Sequence, residues 1–426
     1  MTRAMSGRRM HRLLRCLALV AATAVPAAAG TMLFATAATV GRVDGFCVHG
    51  DGSLEPTPHT QIQTFGPRPS VLLVSPDQKV LMVSENDRVE FLSISPQGML
   101  SHAAKVPDPA HKGLNSHDIA LSPDGRMLYV PERKIARLTA YPLGADYLPT
   151  SPTLTSCVLG PTADDFENLE VRQDLPTPLI YATASGGNGR IATWPLDAQG
   201  NLIGSCSEPD PNDSSKTVTI ACTGPQACLT KPAQALGLSP AVAAPSSQRK
   251  NIGGAGPFLI QTDAVGLTPG SAGRVWVHGR FAKLIFAYDL QSDGTFGTNA
   301  KGKPKQKAVT RTKSLLRYQD MVFSGRTFLL SQFFDGRIDG YRLQDDGGIP
   351  AKPTGSTQQN ARFSPVGLAV RNGILYVAAG KWDRVQAYHL GSDGGVKDKT
   401  PFSETAESTD SFPNALAFAD VPGVCE

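Results

Sequence analysis

Arg384-Val385-Gln386-Ala387-Tyr388-His389-Leu390-Gly391-Ser392-Asp393-Gly394-Gly395-Val396 displays the pattern on which the whole chain is built. A basic residue is followed by a β-branched one, then by an aromatic four positions after the base, an aliphatic at six, glycine at ten and an apolar residue at twelve. Alternation over six residues that runs into a glycine turn marks a strand entering a hairpin. The pattern returns at Arg42 (Val43, Phe46, Val48, Gly52, Leu54), Arg88 (Val89, Leu92, Ile94, Gly98, Leu100), Arg190 (Ile191, Trp194, Leu196, Gly200, Leu202) and Arg337 (Ile338, Tyr341, Leu343, Gly347, Ile349). The copy at Arg137 (Leu138, Tyr141, Leu143) has a turn one residue shorter, and the copy at Leu284 (Ile285, Tyr288, Leu290, Gly294, Phe296) keeps its base one place early, at Lys283.

A second pattern precedes most of these copies: a short apolar strand, a tight turn and another strand. Ile119-Ala120-Leu121-Ser122-Pro123-Asp124-Gly125-Arg126-Met127-Leu128-Tyr129-Val130 shows it best, with proline and glycine where a turn wants them. Its relatives begin near Val71, Leu169, Val265, Met321, Val366 and Leu416. Two interlocking sets of seven predict an all-β, seven-bladed β-propeller. The first hairpin copy has no inner strand before it and the last inner strand has no hairpin after it, so one blade is expected to be closed by the N- and C-terminal strands, which hides both edges. Cys47 and Cys425 then share that blade and are predicted to form a disulfide.

Arg3, Arg8, Arg9, Arg12 and Arg15 precede the apolar run Leu17–Ala29, the layout of a secretory signal peptide. The run is short for a membrane span, and His11 stands where a twin-arginine signal prefers an aromatic. Cleavage after Ala29 spares the strand-like Met32-Leu33-Phe34-Ala35-Thr36, so residues 1–29 read as the signal and 30–426 as one propeller domain, periplasmic or secreted, with no membrane span left. Export leaves an even set of cysteines, and Cys222 with Cys228 and Cys157 with Cys206 are the remaining pairings considered. A net charge of +4, much of it in the leader, offers no case for nucleic acid.

Between Arg190 and Leu284 the spacing doubles, and residues 204–258 are read as an insertion without a recognisable hairpin; a hidden eighth blade is the alternative. Its acidic run Glu208-Pro209-Asp210-Pro211-Asn212-Asp213 is read as a solvated loop rather than a calcium site. No metal and no cofactor are expected.

Pro69-Ser70-Val71-Leu72 followed by Val83-Ser84-Glu85, and Ser116-His117-Asp118-Ile119 before Ser122-Pro123-Asp124-Gly125, resemble the lactonase family that includes propeller-type 6-phosphogluconolactonases and carboxymuconate lactonizing enzymes. The resemblance covers the mature chain apart from the insertion. It implies a lactone hydrolase or a lactonizing isomerase, with the histidine of the second segment, His117, in the active site. Where the family carries an arginine and a glutamate in the next blade, this chain has Phe166-Glu167-Asn168-Leu169 and Thr183-Ala184-Ser185. Arg68 of Gly66-Pro67-Arg68, with Glu85, is the substitute pair one blade earlier.

Propellers bind ligands at the mouth of the central channel. Aligning the inner strands by their apolar alternation puts Ser70, His117, Glu167, Asp263, Gln319, Ser364 and Asn414 at one level, with Asp118, Asn168 and Asp320 one step further in and Arg317 in a connecting loop. Chemically, His117 suits proton transfer near neutral pH, Arg68 or Arg317 suits a carboxylate or a developing oxyanion, and Glu85 or Glu167 suits orienting the imidazole. The remaining residues, Ser70, Asp118, Glu167, Asn168, Asp263, Arg317, Gln319, Asp320 and Asn414, are the substrate-binding candidates. Polar groups at a wet channel mouth also serve strand ends and water without doing chemistry. Two functions therefore stand: an exported lactonase acting on a sugar-acid or carboxylated lactone, or a rigid platform for a protein, glycan or cell-envelope partner.

Overall fold

The computed structural model describes residues 30–107, 118–132, 137–150, 166–172, 174–184, 190–200, 204–210, 213–222, 234–237, 257–263, 273–279, 284–294, 296, 306–311, 318–345, 348–350, 352–358, 360, 363–408 and 411–425. In chain order the strands are β1 (Thr31–Ala37), β2 (Arg42–Val48), β3 (Thr60–Gln63), β4 (Val71–Val74), β5 (Val80–Ser84), β6 (Arg88–Ile94), β7 (Leu100–Pro107), β8 (Ala120–Leu121), β9 (Met127–Glu132) and β10 (Arg137–Pro142). There follow β11 (Phe166–Arg172), β12 (Leu179–Ala184), β13 (Arg190–Pro195), β14 (Gly204–Asp210), β15 (Asp213–Cys222), β16 (Gln234–Gly237), β17 (Pro257–Asp263), β18 (Arg274–Gly279), β19 (Leu284–Asp289) and β20 (Gln306–Arg311). The last are β21 (Tyr318–Ser324), β22 (Thr327–Gln332), β23 (Arg337–Arg342), β24 (Gly355–Ser356), β25 (Pro365–Arg371), β26 (Ile374–Ala379), β27 (Arg384–His389), β28 (Ser403–Glu404) and β29 (Pro413–Asp420). Among the described residues, helix is confined to one 3₁₀ turn at Gly380–Trp382.

These strands build the all-β propeller that the repeats announced, but with six four-stranded blades rather than seven. The six are β29-β1-β2-β3, β4-β5-β6-β7, β11-β12-β13-β16, β17-β18-β19-β20, β21-β22-β23-β24 and β25-β26-β27-β28. The Arg137 copy forms a three-stranded sheet, β10-β9-β8. Its shorter turn is followed by residues 151–165, outside the described set. The stretch 204–258 departs further from its reading, because β14 and β15 form an antiparallel hairpin and β16 completes the β11–β13 blade. Glu208–Asp210 and Asp213 of the acidic run belong to the two strands of that hairpin, where Asp210 pairs with Asp213.

Apolar cores lie between neighbouring sheets. Met32 and Phe34 pack with Leu81, Val83 and Leu92 of the next sheet, while Leu33 and Ala35 pack with Tyr376, Val385 and Ala387 of the last one. Successive residues of β1 point to opposite faces and both faces are covered, which is why this strand is buried throughout and mostly apolar. β29 pairs antiparallel with β1, from Thr31 with Asp420 to Ala37 with Pro413, so the two ends of the chain share a sheet. Cys47 and Cys425 are disulfide-bonded, as predicted.

A tyrosine latch recurs between neighbours. The hydroxyl of Tyr181 donates to the Gly294 carbonyl at 2.6 Å, Tyr376 donates to Gly52 at 2.9 Å, and Tyr129 donates to Gly200. In each case the acceptor is the hairpin glycine of the next sheet, which turns with positive φ (84° at Gly52) so that its carbonyl meets the ring. The Tyr376–Gly52 latch joins the last sheet to the first. The repeated arginines serve their own blades: Arg42 pairs with Asp44 at 2.6 Å, Arg337 with Asp339 at 3.2 Å and Arg384 with Glu404 at 2.6 Å. The pairings considered for Cys222 with Cys228 and Cys157 with Cys206 involve residues outside the described set.

The disulfide closes a sequence separation of 378 residues, for which a chain-entropy estimate is about 6 kcal/mol. The double variant Cys47→Ser/Cys425→Ser should therefore melt several degrees below the wild type by calorimetry, and reductant should lower only the wild type. Equal melting of oxidised and reduced protein would show that strand pairing alone holds the ends.

Candidate functional site

Each sheet is an antiparallel meander, so the turn between its second and third strands lies at the same end as the start of its first strand. That end gathers the residues leading into β4, β25 and β29 and the turns 85–87, 333–336 and 380–383. The first strands β8, β11, β17, β21, β25, β29 and β4 neighbour one another in that order. Their shared starting end is the end at which the channel mouth is expected.

The deepest polar device there is a pair of aspartates. Asp118 accepts the Ile119 N–H at 2.9 Å, the Leu169 N–H of the next blade at 2.8 Å and the Asn168 amide at 3.4 Å. Asp320 repeats this, accepting Met321 N–H at 2.8 Å and Leu368 N–H of the next blade at 2.7 Å. Burial raises Asp118 to about 6 against the pull of those donors. It raises Asp320 to about 7, and the charge of Asp118 adds to the rise. Both expected ligand contacts are thus committed to holding inner strands together. Asn168 keeps a buried Oδ1 that accepts no hydrogen bond among the described residues.

The equivalence of Leu169 and Leu368 also corrects the alignment. Val366, not Ser364, stands at the level of Glu167, and Ser364 is a buried lead-in residue. Asp263 is displaced further. It is the last residue of β17 and pairs with Arg274 beside the β17–β18 hairpin, at the end remote from the mouth. The apolar run Pro257–Ile260, rather than Val265, starts that strand. Glu167 and Gln319 fall in the irregular registers at the starts of β11 and β21. Asn414 is bound through its N–H to Thr36 Oγ1 at 3.1 Å, and Ser70 through its N–H to Ser84 O at 2.8 Å. His117 and Arg317 lie outside the described residues.

Arg68 is exposed, at φ 61°, and forms no ion pair among the described residues. A non-glycine residue with positive φ invites a functional reading, but Ser364 and Phe412 share it, and each also precedes a proline that opens an inner strand. The strain therefore belongs to the way blades are entered, and it presents three different side chains, arginine, serine and phenylalanine, in consecutive blades.

Glu85 is buried beneath Gly66, whose backbone passes so close to Oε2 that a Cβ there would collide with it. Neither carboxylate oxygen has a hydrogen-bond donor in good geometry. Thr64 Oγ1 lies close but is within 2.8 Å of the Gly41 and Gly66 carbonyls, its acceptors, and Arg88 Nε is 3.6 Å from Oε2. Burial first, and then the charge of Glu90, push Glu85 up to about 8. Glu90 is itself held by His102 and by the Phe65 N–H at 3.0 Å. At neutral pH Glu85 is a buried, protonated acid under the Arg68 loop, and not a group that meets ligand directly.

Sequence reading missed an aromatic arc at the same mouth. Phe333 and Phe334 in the β22–β23 turn are 5.0 Å apart between ring centres, and Phe333 is 6.3 Å from Phe412. Lys381 stands 5.7 Å over the Phe333 ring. The available signal was the Phe412-Pro413 pair, parallel to Arg68-Pro69.

No family model matches the chain and no curated protein matches it in sequence. Solved structures do match its fold. The periplasmic gluconolactonase of Pseudomonas aeruginosa superposes with a TM-score of 0.62 at 15% identity over 92% of this chain and 99% of that one. A 6-phosphogluconolactonase candidate from Bacteroides fragilis gives 0.60 at 13% over 92% and 98%, and a protein from Lactobacillus plantarum 0.61 at 12% over 91% and 99%. The chain is a β-propeller, and its fold is that of the 6-phosphogluconolactonase-like propellers. Among the described residues no helix is long and apolar enough to cross a membrane, and no cluster of three His, Cys, Asp or Glu could hold a metal.

Glu85 gives a signed pH test. Its folded value, about 8, lies above the ordinary 4.5, so the folded chain keeps a proton that the unfolded chain releases. The stability this contributes is complete below 4.5 and is lost as pH rises towards 8. Glu85→Gln, neutral throughout, should gain on the wild type across that window, and the gap should level off above it. Parallel urea-stability curves from pH 4 to 9 would show that Glu85 ionises normally.

Proposed function

We propose that this chain is an exported lactonase-like propeller that takes a sugar-acid or carboxylated lactone at its channel mouth. The observation that carries the reading is Arg68: an exposed guanidinium without an ion pair among the described residues, in the loop that covers the buried Glu85 carboxyl. Its blade neighbours the one led in by His117-Asp118. The likeness of fold to a periplasmic gluconolactonase supports the same reaction class and the same compartment. In this reading residues 1–29 are the leader and 30–426 the mature domain. The three-stranded β8–β10 sheet is the seventh blade, and β29 on β1 closes the ring.

His117 removes a proton from the attacking water, whose oxygen bonds to the lactone carbonyl carbon. Arg68 stabilises the negative charge that develops on the carbonyl oxygen. The carbon–oxygen ring bond then breaks as the imidazolium returns the proton to the departing ring oxygen, and the open hydroxy acid leaves. Glu85 acts from below by holding the Gly66–Arg68 loop, as a positioning residue. Ser70, Asn168, Gln319 and Asn414 surround the ring.

Arg68→Gln and His117→Ala should each lower kcat/KM on the best aldonolactone of a panel by roughly a hundredfold or more with unchanged melting temperature. Arg68→Lys should recover part of the loss. No turnover by the wild type on any sugar-acid or carboxylated lactone would remove the enzyme reading and leave the platform for a macromolecular partner.

A further inference from the structure

The aromatic arc belongs to no blade repeat. Asp383, the only carboxylate in the 380–383 turn, has its Oδ1 occupied by the Phe412 N–H at 2.6 Å. This fixes Phe412 at φ 43°. Gly380 makes room for the ring: a Cβ there would stand 2.9 Å from Phe412 Cζ and 3.1 Å from Val366 Cγ2. Phe333 reaches the same place from the preceding blade, and Trp382, next to Lys381 in its turn, lies 5.4 Å from the buried Phe363 ring. Three elements from three sheets therefore converge on one partly exposed aromatic surface.

Lys381 is exposed and its only described partner is the face of Phe333; of the nearby carboxylates, Asp383 and Glu404 are bound to Phe412 N–H and Arg384, while Asp335, two residues after Phe333, makes no ion pair among the described residues. A cation over an aromatic face keeps its full charge available to an incoming anion. Aromatic side chains present flat apolar area to the C–H face of a saturated ring while fixing its tilt.

We propose that Phe333, Phe412 and Lys381 form a specificity subsite for an anionic ring: the ring lies on the two phenyl groups and its carboxylate or phosphate meets the Lys381 ammonium. The assignment rests on reading the mouth as a small-molecule site, and it gives that site its preference for an acid-bearing substrate. Arg68 would handle the reacting carbonyl one blade beyond Phe412, and Lys381 the distal acid.

Trp382, on the same turn as Lys381, reports binding by its fluorescence, since Trp194 and Trp276 are buried elsewhere. Titration with glucuronate, glucose 6-phosphate and neutral glucose separates carboxylate, phosphate and uncharged rings. At least one acid should bind about tenfold or more tightly than glucose. Lys381→Gln should reduce that preference to near unity, and Phe412→Ala should weaken every ring by roughly tenfold, with Phe412→Leu intermediate. Turnover of neutral and acidic lactones is measured alongside. Retained lactone turnover with unchanged acid preference in Lys381→Gln overturns the subsite alone, whereas a wild type that neither binds acids nor turns over lactones overturns the reading beneath it as well.

Discussion

The pairing of β29 with β1 is the constraint on which the other contacts depend. Without it, β1 would expose one hydrogen-bonding edge, and β29, with no hairpin of its own, would have no sheet to join. The cost of bringing residues so far apart in sequence together grows only logarithmically with loop length, so a sheet ladder and one disulfide are enough to offset it. Once formed, the sheet is packed on both faces, and the Tyr376–Gly52 latch repeats across the join the bond that Tyr181–Gly294 makes elsewhere. The join is chemically like an ordinary contact between blades, so it adds no weak interface.

The same economy explains why several polar residues at the mouth turned out to be structural. An inner strand begins with an irregular register, so its first N–H groups lack ladder partners and must find other acceptors. Asp118 and Asp320 satisfy the next blade's Leu169 and Leu368, Thr36 satisfies Asn414 and Ala415, and Ser331 satisfies Asp320. A carboxylate suits this role because it accepts two or more bonds at once, and here it remains partly protonatable because burial opposes the donors.

Much of the architecture was legible because the hairpin pattern encodes both period and turn. Arg384 to Val396 and its relatives located strands β2, β6, β10, β13, β19, β23 and β27. Inner strands were read less well, since four apolar residues in a row carry no phase. Asp263 was assigned to the wrong end of β17 because Val265 mimicked a strand start, and Ser364 was two residues out because Gly367 interrupts the alternation. The β14–β15 hairpin was missed because Pro209 and the acidic run break its pattern where the strands turn. Phe412 and Lys381 were invisible for another reason: lead-in loops have no periodicity, and only the register brings Phe333 of one blade against the loop before another.

Electrostatics at the mouth follow from what is buried and what is not. Several acids of this region are buried or bonded, Asp335 of the Phe333 turn being an exception among the described residues. Glu85 is held protonated under Gly66, Asp118 and Asp320 bind backbone donors, and Asp383 holds the Phe412 N–H. The bases Arg68 and Lys381 remain exposed and without carboxylate partners among the described residues. Burial of Glu85 and the backbone bonds of Asp118, Asp320 and Asp383 thus leave Arg68 and Lys381 as exposed cations of this end. Because Glu85 and Asp320 would begin to ionise near neutrality, raising the pH returns negative charge beneath those cations, and the attraction for an acid-bearing ligand must weaken as the channel deprotonates.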